Sequence, residues 1–364
     1  MTQRENLLSL YRRQGYETAP VYMVLCPHLE DEFHKRYGDK ITLAEHFEFP
    51  VHTVTDPGFP WIAEIKGFVP QREFDWNKYY NPAIKQGARM DMWGIAHEPG
   101  GPEVKHMTHM RHPLQYLENI KDVENYPWPD FYKSDFSVFE QEIKDAQAKG
   151  LAAHVWMECT IWETAWYLRG METLFVDMYL ESEIARFLFD KITELACYRA
   201  EKFAQMGTDI LALGDDIGMQ STILMDKELY RTWLKPGLKK VIDSARKYKP
   251  DIIIQYHSCG YVQPLIGDLI EAGIDVLNPV QPECMNYEEI YRKFGDALSF
   301  NGTLGTQSTM PFGTTEDVRK TVEKNLRLSG KNGGLFCCPT HMLEPEVPWE
   351  NVEAYVEACK NFKL

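Results

Sequence analysis

His257 and Cys259 are separated by one position in the stretch YHSCG. In extended chain, residues i and i+2 point the same way, so an imidazole and a thiolate can hold one ion from a single strand end. Nitrogen and sulfur donors of this kind favour zinc. A buried cysteine beside a hydrogen-bonded core histidine is the plain structural alternative. A third ligand is expected from a neighbouring strand end, where FCCPTH offers Cys337, Cys338 and His341. Within a strand 334–338 the two cysteines would face opposite ways, whereas His341 lies past the end, and His341 is preferred. Glu158 or Asp216 can complete a tetrahedron, or the fourth position stays open for substrate.

Other polar residues follow apolar runs in the same way. Glu158-Cys159 follows LAAHVWM, and Gly214-Asp215-Asp216 follows DILAL with Gln220 just beyond. Gln281 follows GIDVLNP, and Gln307 lies in the loop after ALSFN. The Asp215-Asp216 pair fits a general base, an anchor for a ligating histidine, or a helix cap. Gln220, Gln281 and Gln307 fit hydrogen bonding to a substrate, and equally fit bonding to loop backbone. A further run, HMTHMRHP, holds His106, His109 and His112. On a strand His109 would face away from the other two, so a metal site there is not the expectation.

The elements that must position these groups are short strands expected at 151–157, 209–213, 251–256, 274–280, 297–301 and 334–338, with two more near 20–26 and 51–55. Between them, 182–206, 227–248, 262–271, 315–329 and 349–362 carry apolar residues at helical spacing. Strands alternating with helices imply a parallel sheet with right-handed crossovers. Eight such units make a (β/α)8 TIM barrel, an α/β fold whose functional groups gather at the carboxyl ends of the strands. A doubly wound open sheet is the alternative, but its usual phosphate loops, G-x-G-x-x-G and G-x-x-x-x-G-K-[ST], are missing. The expected organisation is one barrel domain over 1–364, with an irregular segment at 1–50 and aromatic loops before residue 150 that roof the mouth.

Composition bounds the function. Hydrophobic residues make up 44% and charged residues 26%, ordinary for a globular chain. A formal charge of −15 argues against nucleic-acid binding, which needs a basic face. The N-terminus lacks a secretory pattern and no apolar run reaches membrane-spanning length, so the eight cysteines read as reduced thiols or ligands in a cytoplasmic protein.

Four stretches, GDDIGMQSTILMDKELYRTWLKPGLKKVI, YHSCGYVQPLIGDLIEAGIDVLNPVQP, FNGTLGTQSTMPFGTTEDVRKTV and GGLFCCPTHMLEPEVPWENVEAY, together with WETAWYLRGMETLFVDMY, resemble the uroporphyrinogen decarboxylase superfamily. The resemblance runs from about residue 151 to the C-terminus and implies the same barrel. True porphyrin decarboxylases carry an arginine-rich R-Q-A-G-R stretch after the first strand. Here Cys26-Pro27-His28 stands in its place, which makes that reaction an unsuitable reading. The methyltransferase branch uses zinc on H-x-C…C and exchanges methyl groups with a corrinoid on a separate protein. By that resemblance His257 and Cys259 match two ligands, and the third falls on His341 where relatives have cysteine. Gly305 also stands where relatives often have aspartate in G-x-D-T-Q. No D-x-H-x-x-G stretch is present, so the corrinoid would be carried by a partner.

The resulting expectation is a zinc-dependent methyltransferase acting with a corrinoid-binding protein on a small methylated compound, such as an aryl methyl ether undergoing O-demethylation. Glu158 and Asp216 would be catalytic; Gln220, Gln281 and Gln307 would bind substrate. A homodimer is compatible with this reading. The rivals are a metal-independent decarboxylase of a small carboxylate and a methylcobamide:thiol methyltransferase.

Overall fold

The computed structural model describes residues 1–60, 75–100 and 108–363. Seven parallel strands form the main sheet: β1 (Val51–Thr55), β5 (Ala152–Trp156), β6 (Ile210–Gly214), β7 (Ile253–His257), β8 (Val276–Asn278), β9 (Ser299–Asn301) and β10 (Leu335–Phe336), hydrogen-bonded in that order. Three further strands, β2 (Arg89–Met90), β3 (Ala96–Pro99) and β4 (Thr108–Arg111), make a small antiparallel sheet in the insertion between β1 and β5. Strands β5 to β9 are almost wholly buried, which is why their sequences read as continuous apolar runs.

The architecture is a (β/α)8 barrel with seven staves made of strand. The expected strand near 20–26 is not one: Leu25 makes a single parallel bridge to Leu343. Its stretch is apolar enough for a strand but has no ladder beside it, because β10 is only two residues long. Instead the Tyr355 hydroxyl, from the last helix, accepts from Tyr22 N (3.2 Å) and donates to Tyr22 O (3.1 Å). Tyr22 also packs on Phe49 before β1 and Phe336 in β10, with ring centroids 5.1 and 6.4 Å away. The segment therefore fills the gap between the two terminal strands through side chains.

The six strands expected after residue 150 are all present, shortened at their ends. The segment 227–248 is two helices, Lys227–Trp233 and Lys235–Tyr248, broken at Leu234 because Pro236 cannot donate to the preceding turn. The first fifty residues, expected to be irregular, contain helices Gln3–Tyr11, Pro27–Tyr37 and Leu43–Phe47. Thr2 with Glu5, and Thr42 with Glu45, form capping boxes that start two of them. Arg4 grips Asp209, just before β6, through two bonds of 2.9 and 2.7 Å, fixing the first helix across the floor of the barrel. Cys26-Pro27 opens the second helix, with proline in its first turn where a missing N–H costs nothing. Among the described residues no helix is long and apolar enough to cross a membrane.

Candidate active site

Register delivers the rim residues. Gly214, His257 and Asn278 are partners across β6, β7 and β8 at their carboxyl ends. A side chain at Gly214 would not fit: its Cβ would lie 2.4 Å from His257 O. Beyond the strands the 214–220 loop packs on the 257–261 loop, where a Cβ on Gly218 would lie 2.6 Å from Cys259 O. These two glycines let Asp216 approach the His257–Cys259 loop.

Asn278 orients the imidazole. Its Nδ2 donates to Asn301 O (3.0 Å) and Asn301 Oδ1 (3.1 Å), so the oxygen of its amide faces His257 Nδ1 at 2.7 Å. This arrangement assigns the proton to Nδ1 and turns Nε2 toward Cys259 Sγ (3.5 Å) and Asp216 Oδ1 (3.6 Å). One ligand atom each from Asp216, His257 and Cys259 falls within 4.8 Å of the others. Cys259 N donates to Asp216 Oδ1 at 2.7 Å, which locks the carboxylate in place.

The electrostatics favour positive charge here. Burial opposes protonation of His257, but Glu158, Cys259 and Asp216 outweigh it and raise the imidazole well above its ordinary range. Glu158 Oε1 lies 3.9 Å from His257 Nδ1, and burial raises its carboxyl. Asp215 is buried and accepts backbone N–H bonds from Ile161 (3.1 Å) and Glu163 (2.9 Å). Asp215 does not cap a helix that follows it, since Asp226 caps the next one; it receives N–H groups at the start of the earlier helix Trp162–Arg169, and Asp216 joins the cluster. Burial lifts Asp215 to about 7.

Sequence reasoning missed Glu163. Its Oε2 accepts from Asp216 N (3.2 Å) and its Oε1 from the Tyr167 hydroxyl (2.8 Å). Burial, then Asp216 and Asp215, push it to about 8. Its only signal was a lone acid inside the apolar run IWETAW. Asn278 and Asn301 were missed too, as ordinary residues at strand ends.

The other expected residues divide. His341 lies outside the three-residue cluster and is exposed at the lip of the adjoining cavity. Strand β10 stops at Phe336, and the Leu25–Leu343 bridge draws the following loop toward the N-terminal segment. Cys337 and Cys338 consequently lie after the strand, not within it. Cys338 donates to Asn301 Oδ1 at 3.0 Å and Cys337 contacts Thr303 Oγ1 at 3.6 Å. Burial raises both thiols, Cys337 to about 12, so neither is a ready thiolate. Gln281 is buried and its Oε1 accepts from Gly260 N at 3.1 Å, tying two rim loops. Gln220 and Gln307 are exposed and bond each other at 3.4 Å. None of the three glutamines lines the cavity. In the histidine run, His109 is exposed on β4 and His112 Nδ1 meets Tyr167 O at 2.8 Å, while His106 lies outside the described residues.

The cavity, about 240 Å³, opens beside the cluster and descends into the barrel. Glu158, His257, Asn278 and His341 stand at its upper wall; Tyr22, Trp156 and Phe336 give it aromatic sides. No lysine or arginine lines it among the described residues.

Residues 114–362 match the family described as uroporphyrinogen decarboxylase (URO-D). The chain belongs to the URO-D family. Within it, the chain is 25% identical over 201 residues to a methylated-thiol–coenzyme M methyltransferase from Methanosarcina mazei, covering 54% of this chain and 50% of that protein. It is 23% identical over 185 residues to a uroporphyrinogen decarboxylase from a Hydrogenobaculum species, covering 51% of this chain and 50% of that one. The URO-D chain thus spans about half the length of the curated relatives it matches. A solved methyltransferase structure from Methanosarcina mazei shares its fold, with a TM-score of 0.66 over 98% of both chains at 17% identity.

Proposed function

We propose that this URO-D family protein transfers a methyl group between a small methylated compound and a corrinoid carried by a separate protein, with zinc held at the barrel rim. One observation carries the reading: a nitrogen, a sulfur and an oxygen ligand from His257, Cys259 and Asp216 converge within 4.8 Å beside a cavity. The donor set of Asp216, His257 and Cys259 would suit zinc, and His257 also lines the cavity. When bound, zinc supplies a Lewis acid that stabilises charge on the oxygen or sulfur losing or receiving the methyl group.

The chain's own residues do the rest. Asn278 keeps the His257 ring in the tautomer that presents Nε2. Asp216 and Cys259 hold each other through the Cys259 N–H. Glu158, uncharged more readily than an exposed glutamate, is placed beside His257 to hold or release a proton at the substrate atom. His341, at the lip, meets the substrate rather than the ion. Trp156 and Tyr22 give an aromatic ring two flat neighbours, which supports an aryl methyl ether as the compound demethylated.

The test is metal content followed by methyl transfer. Protein purified without chelator should contain close to one zinc, and a Co(I) corrinoid protein with guaiacol should be methylated in its presence. Less than about a tenth of an equivalent of zinc overturns the reading. Full methyl transfer after chelation would remove zinc from the reading, and metal-independent release of CO2 from a small carboxylate, with no methyl transfer, would point to a decarboxylase instead. The methylated-thiol relative favours a second reading, in which the acceptor is a thiol. It predicts that an added thiol becomes a sulfur ligand of the zinc, visible at the metal's X-ray absorption edge.

A further inference from the structure

TIM barrels are normally filled by layers of branched aliphatic side chains pointing inward. This one is not. Below the rim the inward residues include Thr53, His154, Gln255 and Asn301, and the cavity reaches them. Register places them in successive layers: Thr53 pairs with His154, Trp156 aligns through Ala212 with Gln255, and Gly214 aligns with His257 above. The bore is a pit with polar groups at its bottom.

The hydrogen bonds there run in one direction. The His257 Nδ1–H donates to Asn278 Oδ1 (2.7 Å), and Asn278 Nδ2 donates to Asn301 Oδ1 (3.1 Å). Asn301 Nδ2 donates in turn to the Tyr11 hydroxyl (2.7 Å) and to Gln255 Oε1 (3.0 Å). Tyr11 also donates to Gln255 Oε1, at 3.5 Å. Every oxygen and amide along this chain is used except one. Gln255 is only 5% exposed, and its side-chain hydrogen bonds among the described residues all fall on Oε1, leaving Nε2 turned to the cavity that Gln255 lines. This donor is open to whatever fills the cavity, and an occupant with an acceptor gains a hydrogen bond that an apolar one cannot make. Because Gln255 Oε1 already takes two donors, the amide cannot turn round to offer an acceptor instead. His154, beside the pit, is held neutral because burial lowers it to about 4.

We propose that the bore is a binding subsite for an uncharged small molecule that enters with a hydrogen-bond acceptor first, and that the Gln255 amide is the specificity-determining donor. A carboxylate is excluded, since no lysine or arginine lines the bore to pair with it. A cation is excluded at the bottom, since the free group there is a donor. This deepens the methyl-transfer reading, on which it rests only for the reaction occurring at the upper end of the ligand.

Equilibrium binding to the full chain, by titration calorimetry and without turnover, tests the subsite separately. The probes are guaiacol, a ring with oxygen acceptors; toluene, which has none; and 2-methoxybenzoate, an anion. Guaiacol should bind tighter than toluene, and 2-methoxybenzoate at least about tenfold more weakly than guaiacol. Gln255→Met should weaken guaiacol by about tenfold and leave toluene within about twofold. Failure of guaiacol to bind at about 1 mM, equal binding of the anion, or an indifferent Gln255→Met overturns the inference. If that variant does not fold, the ranking of the three probes on the unaltered chain still decides. The expected ranking without any methyl transfer would uphold the subsite and sink the function proposed above.

Discussion

The amide oxygen of Asn278 lies 2.7 Å from Nδ1 of His257. One strand's last residue thereby sets the tautomer of its neighbour's. Replacing Asn278 by Leu removes the acceptor and lets the imidazole rotate. Zinc affinity should fall about 10- to 100-fold, read by competition with a chromophoric chelator. Asn278→Asp keeps an acceptor and should retain the metal. Unchanged affinity in the leucine variant would remove the orienting role.

Variants of the rim separate ligands from neighbours. His257→Ala and Cys259→Ser should each leave less than about a tenth of an equivalent of zinc in the purified protein, and Asp216→Asn should weaken its hold. His341→Ala should keep the metal while impairing methyl transfer. Loss of zinc in His341→Ala would restore that histidine as a ligand and require the loop after β10 to move inward.

Acid–base linkage gives a pH signature. Glu163 shifts from 4.5 to about 8 on folding, and Asp215 from 3.8 to about 7, with burial the leading cause. Folded protein binds these protons more tightly than unfolded chain does. The resulting stabilisation is complete below about pH 4 and is lost as the pH rises through about 7 and about 8. Chelator-treated protein should therefore melt a few degrees lower at about pH 9 than at about pH 6. Glu163→Gln should flatten the upper part of that curve; an unaltered slope would show that other groups set it.

Gly214→Ala places a Cβ 2.4 Å from His257 O and 2.8 Å from His257 Cβ. The two strands must part, at a cost of about 1–3 kcal/mol. Both the melting temperature and bound zinc should drop together. A stable variant that keeps its metal would mean that β6 and β7 can separate without disturbing the cluster.

The strands that carry the site were legible because buried parallel strands leave compact apolar runs such as DIIIQY, and the rim residues follow directly in sequence. His257 and Cys259 sit two apart on one strand end, so their meeting needed no tertiary information. Asp216 was one of several options because its approach depends on Gly218 fitting against the Cys259 backbone, a contact between loops 41 residues apart. His341 is an electrostatic neighbour of His257 and Asp216 but stands outside the group within 4.8 Å, and the short β10 and the Leu25–Leu343 bridge that set its place are not legible in FCCPTHML. The run PVYMVLC looked like a strand because hydrophobicity marks burial, not the presence of a ladder beside it. Gln255 reads as one polar residue in an apolar strand, and only the curled sheet shows that it faces the cavity.

The seam filled by residues 20–25 has a consequence for dynamics. Tyr22, Met23 and Val24 form part of the cavity wall, yet one bridge and one phenol hold their backbone where the other staves have ladders. Their amide protons should be among the first in the barrel to trade with deuterium, and ligand in the bore, by pressing on that wall, should slow them more than any other stave.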